Sequence, residues 1–442
     1  MTESAIPDFH LFVEDDQYWR EVISIDRTLP AALPLNVYTA ENAIILPLKP
    51  SSDRFHNWDG GVVDRDGKFI AGHIVDTRHD HRQNIVRGYP VPSDIDFVAE
   101  PVIFGGGRDA RHFGHFLLEE LSRLWYYVEN RELNYKVAFI NNGLNFDHPS
   151  VALLTQLGLD RDNMLFIERP TQFQTVIVPD QSMYIYSGEI DREHGLSVFD
   201  ALRDSVKPGG ADRIYLTRTM LPPGKNFRDV NENMLEDFFR KQGYQIVAPE
   251  THPLPQQISL LSGAKEVVCT VGTLSHLLLF CHNGIEHTAI LRDKRSPVEI
   301  QWEINRLRGV VTNVVDCLLE FLPSSHTGGV HFFTTTPQWS RFVSEHFGVS
   351  TPAAPTSRDV VEYIRNWTEM LEMIPDTELR RVPPWTVADL ASAMSNSILG
   401  RPLNAEAQKR LTSHFRVGYA DADETPAPPG FLRDRNQETM RD

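Results

Sequence analysis

Apolar residues recur along the chain with two different periods, and the switches between them divide it. Residues 43–48 (AIILPL) form an apolar run, and GGVVDRDGKFIAGHIV (60–75) places Asp66-Gly67 between two such runs, the signal of a hairpin. Residues 101–105 predict a short strand that leads into three glycines. Phe116, Leu117, Leu121, Leu124, Trp125 and Val128 then fall at three- and four-residue spacing, which predicts a helix with one buried face. Strands at 137–141, 164–167 and 175–179 follow, with a helix at 150–157.

From about residue 205 the alternation becomes regular. RIYLTR (213–218), YQIVAP (244–249), EVVCTV (266–271) and HTAILR (287–292) read as strands. Between them lie predicted helices at 231–242, stopped by Gly243, at 254–264, and at 273–281, stopped by Asn283-Gly284. Near-continuous apolar strands separated by helices predict an α/β fold with a parallel sheet covered on both faces. In such sheets ligands sit beyond the carboxyl ends of the strands. After residue 330 the texture changes: 352–355 reads as a linker, and Val360, Ile364, Trp367, Leu371 and Ile374 form a helical stripe. Two further helices are predicted near 386–399 and 404–415, before a polar, Pro-rich tail. The chain thus divides into 1–204, 205–330 and 331–442.

Composition narrows the function classes. The 442 residues carry a net charge of −17, too acidic for a protein that coats duplex DNA or anionic lipid. That charge is uneven: residues 1–200 stand at −14, 201–300 at +1 and 301–442 at −4, so an anion is expected to bind in the middle third. Three cysteines without paired spacing indicate neither a disulfide framework nor a zinc cluster. The start lacks the pattern of a signal peptide, and no apolar run approaches the ~20 residues of a membrane helix, so a soluble, cytoplasmic protein is expected.

Three stretches could carry chemistry. In GGGRDARHFGHFLLEELSRLW (105–125), His115, Glu119 and Ser122 share one helical face with Arg123 nearby. A helix start disfavours the imidazolium and helps keep such a histidine neutral as a base; a histidine that caps the glycine turn fits the same pattern. In YLTRTMLPPGKNFRDVNE (215–232), Arg218, Lys225 and Arg228 cluster at a strand end, which suits a diphosphate and equally a solvated basic loop. In EVVCTVGTLSHLLLF (266–280), a buried strand turns at Gly272-Thr273 into a helix bearing His276, a junction that can seat an anion or ribose but is common in α/β domains.

Taken together and in this order, these stretches resemble the family-61 glycosyltransferases, a group that includes capsular polysaccharide biosynthesis proteins, plant β-1,2-xylosyltransferase and extracellular O-linked GlcNAc transferase. The resemblance covers roughly residues 60–295. It rests on GGVVDRDGKFI, on HFGHFLLEELSRLW, similar to Asn-x-x-His-Trp-Leu-x-Glu-x-Leu-x-Arg-Leu, and on Arg218, Arg228, Asn231 and Glu232. It continues through APETHPLPQQISLLSGAKEVV, with Glu250 and Gln257, and closes on VGTLSHLLLF. His112, Phe116 and Thr273 depart from the pattern, where the family often has Asn, Trp, and Ala or Ser.

The resemblance implies two Rossmann-like domains of GT-B type with a cleft between them, plus a helical C-terminal extension. The 1–204 domain would lie on the acceptor side, and 205–330 would bind a nucleoside-diphosphate sugar. It further implies inverting transfer to a glycan hydroxyl, in capsular or surface polysaccharide biosynthesis, without an obligatory metal or other cofactor. Peripheral association with a polysaccharide assembly complex is compatible with this. His115, with Glu119, would be the catalytic base. Arg218, Lys225, Arg228, Gly272 and Thr273 would hold the donor diphosphate; Glu250, His276 and Glu232 the ribose or sugar; His112 and Arg123 would face the acceptor.

Two readings compete with transfer. Asp76, His79, Asp80 and His81 with His112 and His115 offer ligands for a metal-dependent hydrolase, and a non-catalytic sugar-nucleotide-binding scaffold would bind donor without turning it over. Asp94-Ile95-Asp96 and Asp421-Ala422-Asp423 imitate the Asp-x-Asp motif of metal-dependent transferases, but neither follows a convincing buried strand.

Overall fold

The computed structural model describes residues 8–23, 35–50, 58–71, 88–107, 113–141, 145–184, 189–191, 193–221, 229–294, 298–319, 331–350 and 362. It is a mixed α/β structure with several sheets. The helices expected near 360–374, 386–399 and 404–415 lie outside the described residues.

The second half is built on a wholly parallel six-stranded sheet, in the order Phe9–Phe12, Val311–Val315, Glu286–Ile290, Glu266–Thr270, Arg213–Leu216, Gln245–Val247. Four of these strands are the apolar runs of the sequence. The edge strand Phe9–Phe12 comes from the far N-terminus and pairs in parallel with Val311–Val315. Alternate strand residues bury on opposite faces: Ile214, Leu216, Val267 and Cys269 on one, Tyr215, Val268, Ala289 and Val314 on the other. The second face is covered by helices Asp16–Ile23, Glu232–Lys241 and Pro337–Phe347. Phe239 of the middle helix stacks on Tyr215 at 5.2 Å, fully buried, so its truncation to Ala is expected to cost ~3–5 kcal/mol.

The first half holds two five-stranded sheets. One, ordered Val37–Glu41, Thr175–Pro179, Val102–Gly106, Lys136–Ile140, Met164–Ile167, is parallel except for its first strand. The other is mixed and contains the hairpin Trp58–Val63 and Phe69–Ala71, turned as Asp66-Gly67 predicts, with the Asp64 side chain accepting from the Asp66 and Lys68 amides. Ile45, Val62, Phe104, Ala138 and Val176 fill the space between these two sheets.

The two halves share one core. Ile103, Val137 and Phe139 of the parallel five-stranded sheet, Phe116, Leu117, Leu121 and Leu124 of the helical segment, and Ile214 and Val267 of the six-stranded sheet belong to one apolar cluster. That shared burial fixes the 113–129 segment against the second half.

This segment is less regular than its spacing predicts. A single turn, Phe113–His115, runs into a π-helical stretch Phe116–Glu120, a 3-10 stretch Leu121–Leu124 and an α-helical turn Trp125–Glu129. The wide π-turn accommodates two adjacent buried carboxylates, Glu119 and Glu120. Glu120 occupies the space where a side chain at Gly106 would stand: a Cβ there would be 2.0 Å from its Oε2, and Gly106 has a φ of +111°. The glycine run is therefore the seat of a buried acid.

Candidate functional site

Among strands 213–315 the spatial order is second, first, third, fourth, fifth, so the direction of winding reverses between Arg213–Leu216 and Glu266–Thr270. Chain connections leave these two strands on opposite sides, which opens a crevice beyond their carboxyl ends. Arg218 and Gly272 stand at those two ends, and Arg292 stands beyond the end of the neighbouring strand Glu286–Ile290.

Asp229 joins the arginines. Its carboxylate is fully buried; Oδ1 accepts a hydrogen bond from Arg292 Nε at 2.9 Å, and Oδ2 forms an ion pair with Arg218 Nε at 2.8 Å. Each of the two arginine side chains is 19% exposed. Asp229 sits on the short strand Asp229–Val230, which pairs in parallel with His331–Phe332. Arg292 also lies against the glycine turn: a Cβ at Gly272, whose φ is +138°, would come within 3.3 Å of its Nη1.

Beneath Arg218 lies a second buried carboxylate. Both oxygens of Glu232 accept from the Arg218 amide, at 3.1 and 3.2 Å, and the Tyr215 hydroxyl donates to Oε1 at 3.3 Å. Burial first, and then the neighbouring Asp229 charge, push its pKa up to about 8. The family resemblance assigns Glu232 to ribose or sugar; in the structure it supports the Arg218 backbone from below. Asn231, in the left-handed region at φ +67°, precedes the helix without a side-chain cap, its Nδ2 donating instead to the Phe333 carbonyl at 3.3 Å.

The Gly272-Thr273 turn opens a six-residue 3-10 helix, Ser275–Phe280, where the sequence predicts a longer α-helix. So short an element has little dipole to offer, and the turn's own backbone is what remains. The turn is anchored from inside. Ser275 Oγ lies 2.7 Å and His276 Nδ1 2.8 Å from Gln301 Oε1, and Gln301 Nε2 donates to Asn305 Oδ1 at 2.8 Å. Asn305 Nδ2 in turn lies 3.1 Å from His287 Nδ1. Burial drives the His287 pKa down to about 3, so it is neutral in this chain. His276 is itself buried, part of this anchor.

His115 meets this edge from the other half. Its Nδ1 lies 3.0 Å from Glu119 Oε2, with Glu119 fully buried and 13% of the His115 side chain exposed. The preceding Gly114 lies against Thr273, where a Cβ would be 2.9 Å from Oγ1. The histidine–carboxylate pair and the Gly272-Thr273 turn are thus adjacent.

Other candidates lie elsewhere. Arg123 is buried and binds the Pro179 carbonyl and Gln181 Oε1, tying the helical segment to the end of a strand. Glu250 is exposed just past the edge strand Gln245–Val247. Asp94 and Asp96 both face Arg169 at the surface, at 2.9 and 3.9 Å. His112, Lys225, Arg228, the 76–81 cluster and Asp421-Ala422-Asp423 lie outside the described residues. Among the described residues no three His, Cys, Asp or Glu side chains gather into a metal-binding group, and no helix is long and apolar enough to cross a membrane. The three cysteines are free and buried, burial pushing the Cys281 thiol up to about 12.

Sequence reasoning misses Asp229, Arg292 and Gln301. A signal exists for Arg292: HTAILR ends in arginine as RIYLTR does, and the parallel sheet puts both ends on one edge.

These features define an α/β protein whose parallel sheet presents two arginines beside a histidine–carboxylate pair. The Glycosyltransferase 61 family model matches residues 113–291, so this stretch of the chain is similar to glycosyltransferase family 61. The match begins at the turn that carries His115 and ends one residue before Arg292. No curated protein matches the chain.

Proposed function

We propose that this protein is an inverting, metal-independent glycosyltransferase that moves a sugar from a nucleoside diphosphate to a hydroxyl of a glycan acceptor in surface polysaccharide biosynthesis. One observation carries the reading: Gly114, next to the His115–Glu119 pair, packs on Thr273 of the turn whose Gly272 borders Arg292. A base and an anion-binding edge, from opposite halves of the chain, thus flank one space. The family match and the near-neutral charge of residues 201–300 support it further.

In this reading Glu119 accepts from Nδ1 of His115 and so holds the tautomer whose Nε2 is the proton acceptor. Nε2 takes the proton of the acceptor hydroxyl as its oxygen attacks the anomeric carbon. The bond from that carbon to the diphosphate oxygen breaks on the opposite face, its electron pair leaving with the nucleoside diphosphate. Arg218, with Lys225 and Arg228, neutralises the charge that develops there. Gly272 and Thr273 border the diphosphate, on a turn that His276 braces from inside through Gln301. A two-Rossmann-like arrangement divided near residue 204, working in the cytoplasm, completes the proposal.

A thermal-shift screen of nucleoside-diphosphate sugars, followed by a transfer assay on His115→Ala, tests it. The donor at ~100 times its dissociation constant is expected to add ~2.7 kcal/mol of stability in wild type and variant alike. Transfer by the variant should fall by ~10²–10⁴. Absence of stabilisation by any such donor, or undiminished transfer in the variant, overturns the reading.

A further inference from the structure

The Arg218–Asp229–Arg292 cluster has a construction that a simple structural latch does not require. One buried carboxylate meets two guanidinium groups, each through its Nε and each with a different oxygen. A guanidinium has five N–H donors, so this contact leaves the terminal Nη groups of both arginines available. Among the described residues neither arginine pairs with a second carboxylate. Two cations share one anion, which leaves a net positive charge at the mouth of the crevice where winding reverses.

We propose that Arg218 and Arg292 form a single two-armed seat for a diphosphate, with Asp229 as the positioning residue that sets the spacing of the arms. This rests on the transferase reading and assigns to its leaving group a further arginine, Arg292, from outside the family-matched stretch. A diphosphate carries oxygens on two adjacent phosphorus atoms, and planar guanidinium forks bind such oxygens in pairs. A monophosphate offers only one such group and engages one arm. Asp229 holds the two Nε atoms to the oxygens of one carboxylate, so the arms are fixed before the ligand arrives, and the pairing of Asp229–Val230 with His331–Phe332 fixes Asp229 itself. Gly272 leaves the place beside Arg292 Nη1 clear.

The probes are inorganic pyrophosphate and inorganic phosphate, titrated calorimetrically into the full chain as wild type, Arg292→Gln, Arg292→Lys and Asp229→Asn, each first shown folded by its thermal transition. Wild type is expected to prefer pyrophosphate. Arg292→Gln should weaken pyrophosphate by about 10- to 100-fold and phosphate much less, with Arg292→Lys recovering part of the loss. Asp229→Asn separates positioning from charge. Removing a negative charge by itself strengthens binding of every anion, whereas loss of spacing lowers the preference for pyrophosphate over phosphate.

A rise in affinity for both ions in Asp229→Asn, or pyrophosphate binding indifferent to Arg292, overturns the two-armed seat. Pyrophosphate binding that needs both arginines, in a protein stabilised by no nucleoside-diphosphate sugar, leaves the seat standing and removes the transferase reading. Donor binding that needs Arg218 but not Arg292 does the reverse.

Discussion

Two cationic corners stand at the carboxyl edge of the six-stranded sheet, and they are wired in opposite senses. At one, Arg218 and Arg292 share the single carboxylate of Asp229. At the other, a few residues along the chain, Lys294 alone faces two carboxylates, Glu14 at 3.0 Å and Asp316 at 3.2 Å. Burial alone lowers the Lys294 pKa, but Asp316 and Glu14 outweigh it and raise it overall. Its partners come from the N-terminal segment and from the end of Val311–Val315, so the lysine staples the edge strand to the sheet. Residue type and position on the sheet are nearly the same in both corners. In the proposed reading, the local count of opposing charges makes one an anion site and the other a fastening.

The sharpest way to break this contrast is to remove a cation from each corner. Arg218→Ala should lower transfer by ~10²–10³, the effect of losing one well-placed charge-stabilising donor. Lys294→Ala should leave transfer nearly unchanged and instead lower stability by about 1–3 kcal/mol, because the buried Asp316 loses its cation. Steady-state rates set beside denaturant midpoints read both outcomes. Equal losses of rate in the two variants would show that the corners are not functionally distinct.

A smaller effect is expected from Gly272→Val. The residue's φ of +138° strains any side chain, and a Cβ comes within 3.3 Å of Arg292 Nη1. Backbone strain of this kind costs about 1–3 kcal/mol, to be seen as a lower thermal midpoint. Because only one arm is disturbed, pyrophosphate affinity should fall less than in Arg292→Gln. A variant with wild-type affinity would show that Arg292 needs no room beside the turn.

Much of this geometry is legible in the order of the residues. The strands 213–218, 266–271 and 287–292 follow from continuous apolar runs, and such runs arise because both faces of a parallel sheet are buried. His115 and Glu119 follow from helical spacing, and their 3.0 Å contact survives even though the segment is π-helical there. What spacing does not reveal is pairing between distant residues. Phe9–Phe12 is too short and too remote to be assigned to a sheet whose other strands begin near residue 213. Asp229 looks like one acid in a mixed-charge loop until strand order brings Arg218 and Arg292 to either side of it. Arg123 and Glu232 carry polar side chains in promising places, yet folding turns both inward, where they brace backbone rather than face an open cleft.

The most delicate difference between the corners is a proton. Glu232, buried beneath Arg218, would cancel the remaining positive charge if it ionised, and the arginine corner would lose its distinction. The groups facing it are Asp229 and Glu236, which favour the protonated form, and Arg218, which opposes it, with the Tyr215 hydroxyl in hydrogen-bond contact. With burial the leading cause, its pKa lies near 8 in the folded chain against an ordinary 4.5. The folded protein therefore keeps this proton across a range in which the unfolded chain has released it. The stabilising contribution is complete below about 4.5 and is lost as pH rises toward 8. Glu232→Gln mimics the protonated form at every pH, so the stability of wild type should fall relative to the variant across that window. Near neutral pH the two should bind pyrophosphate alike, and above pH 8 wild type should weaken while the variant does not. Parallel curves for the two proteins, in stability and in pyrophosphate affinity, would mean that Glu232 is ionised throughout and that the arginine corner carries no net charge.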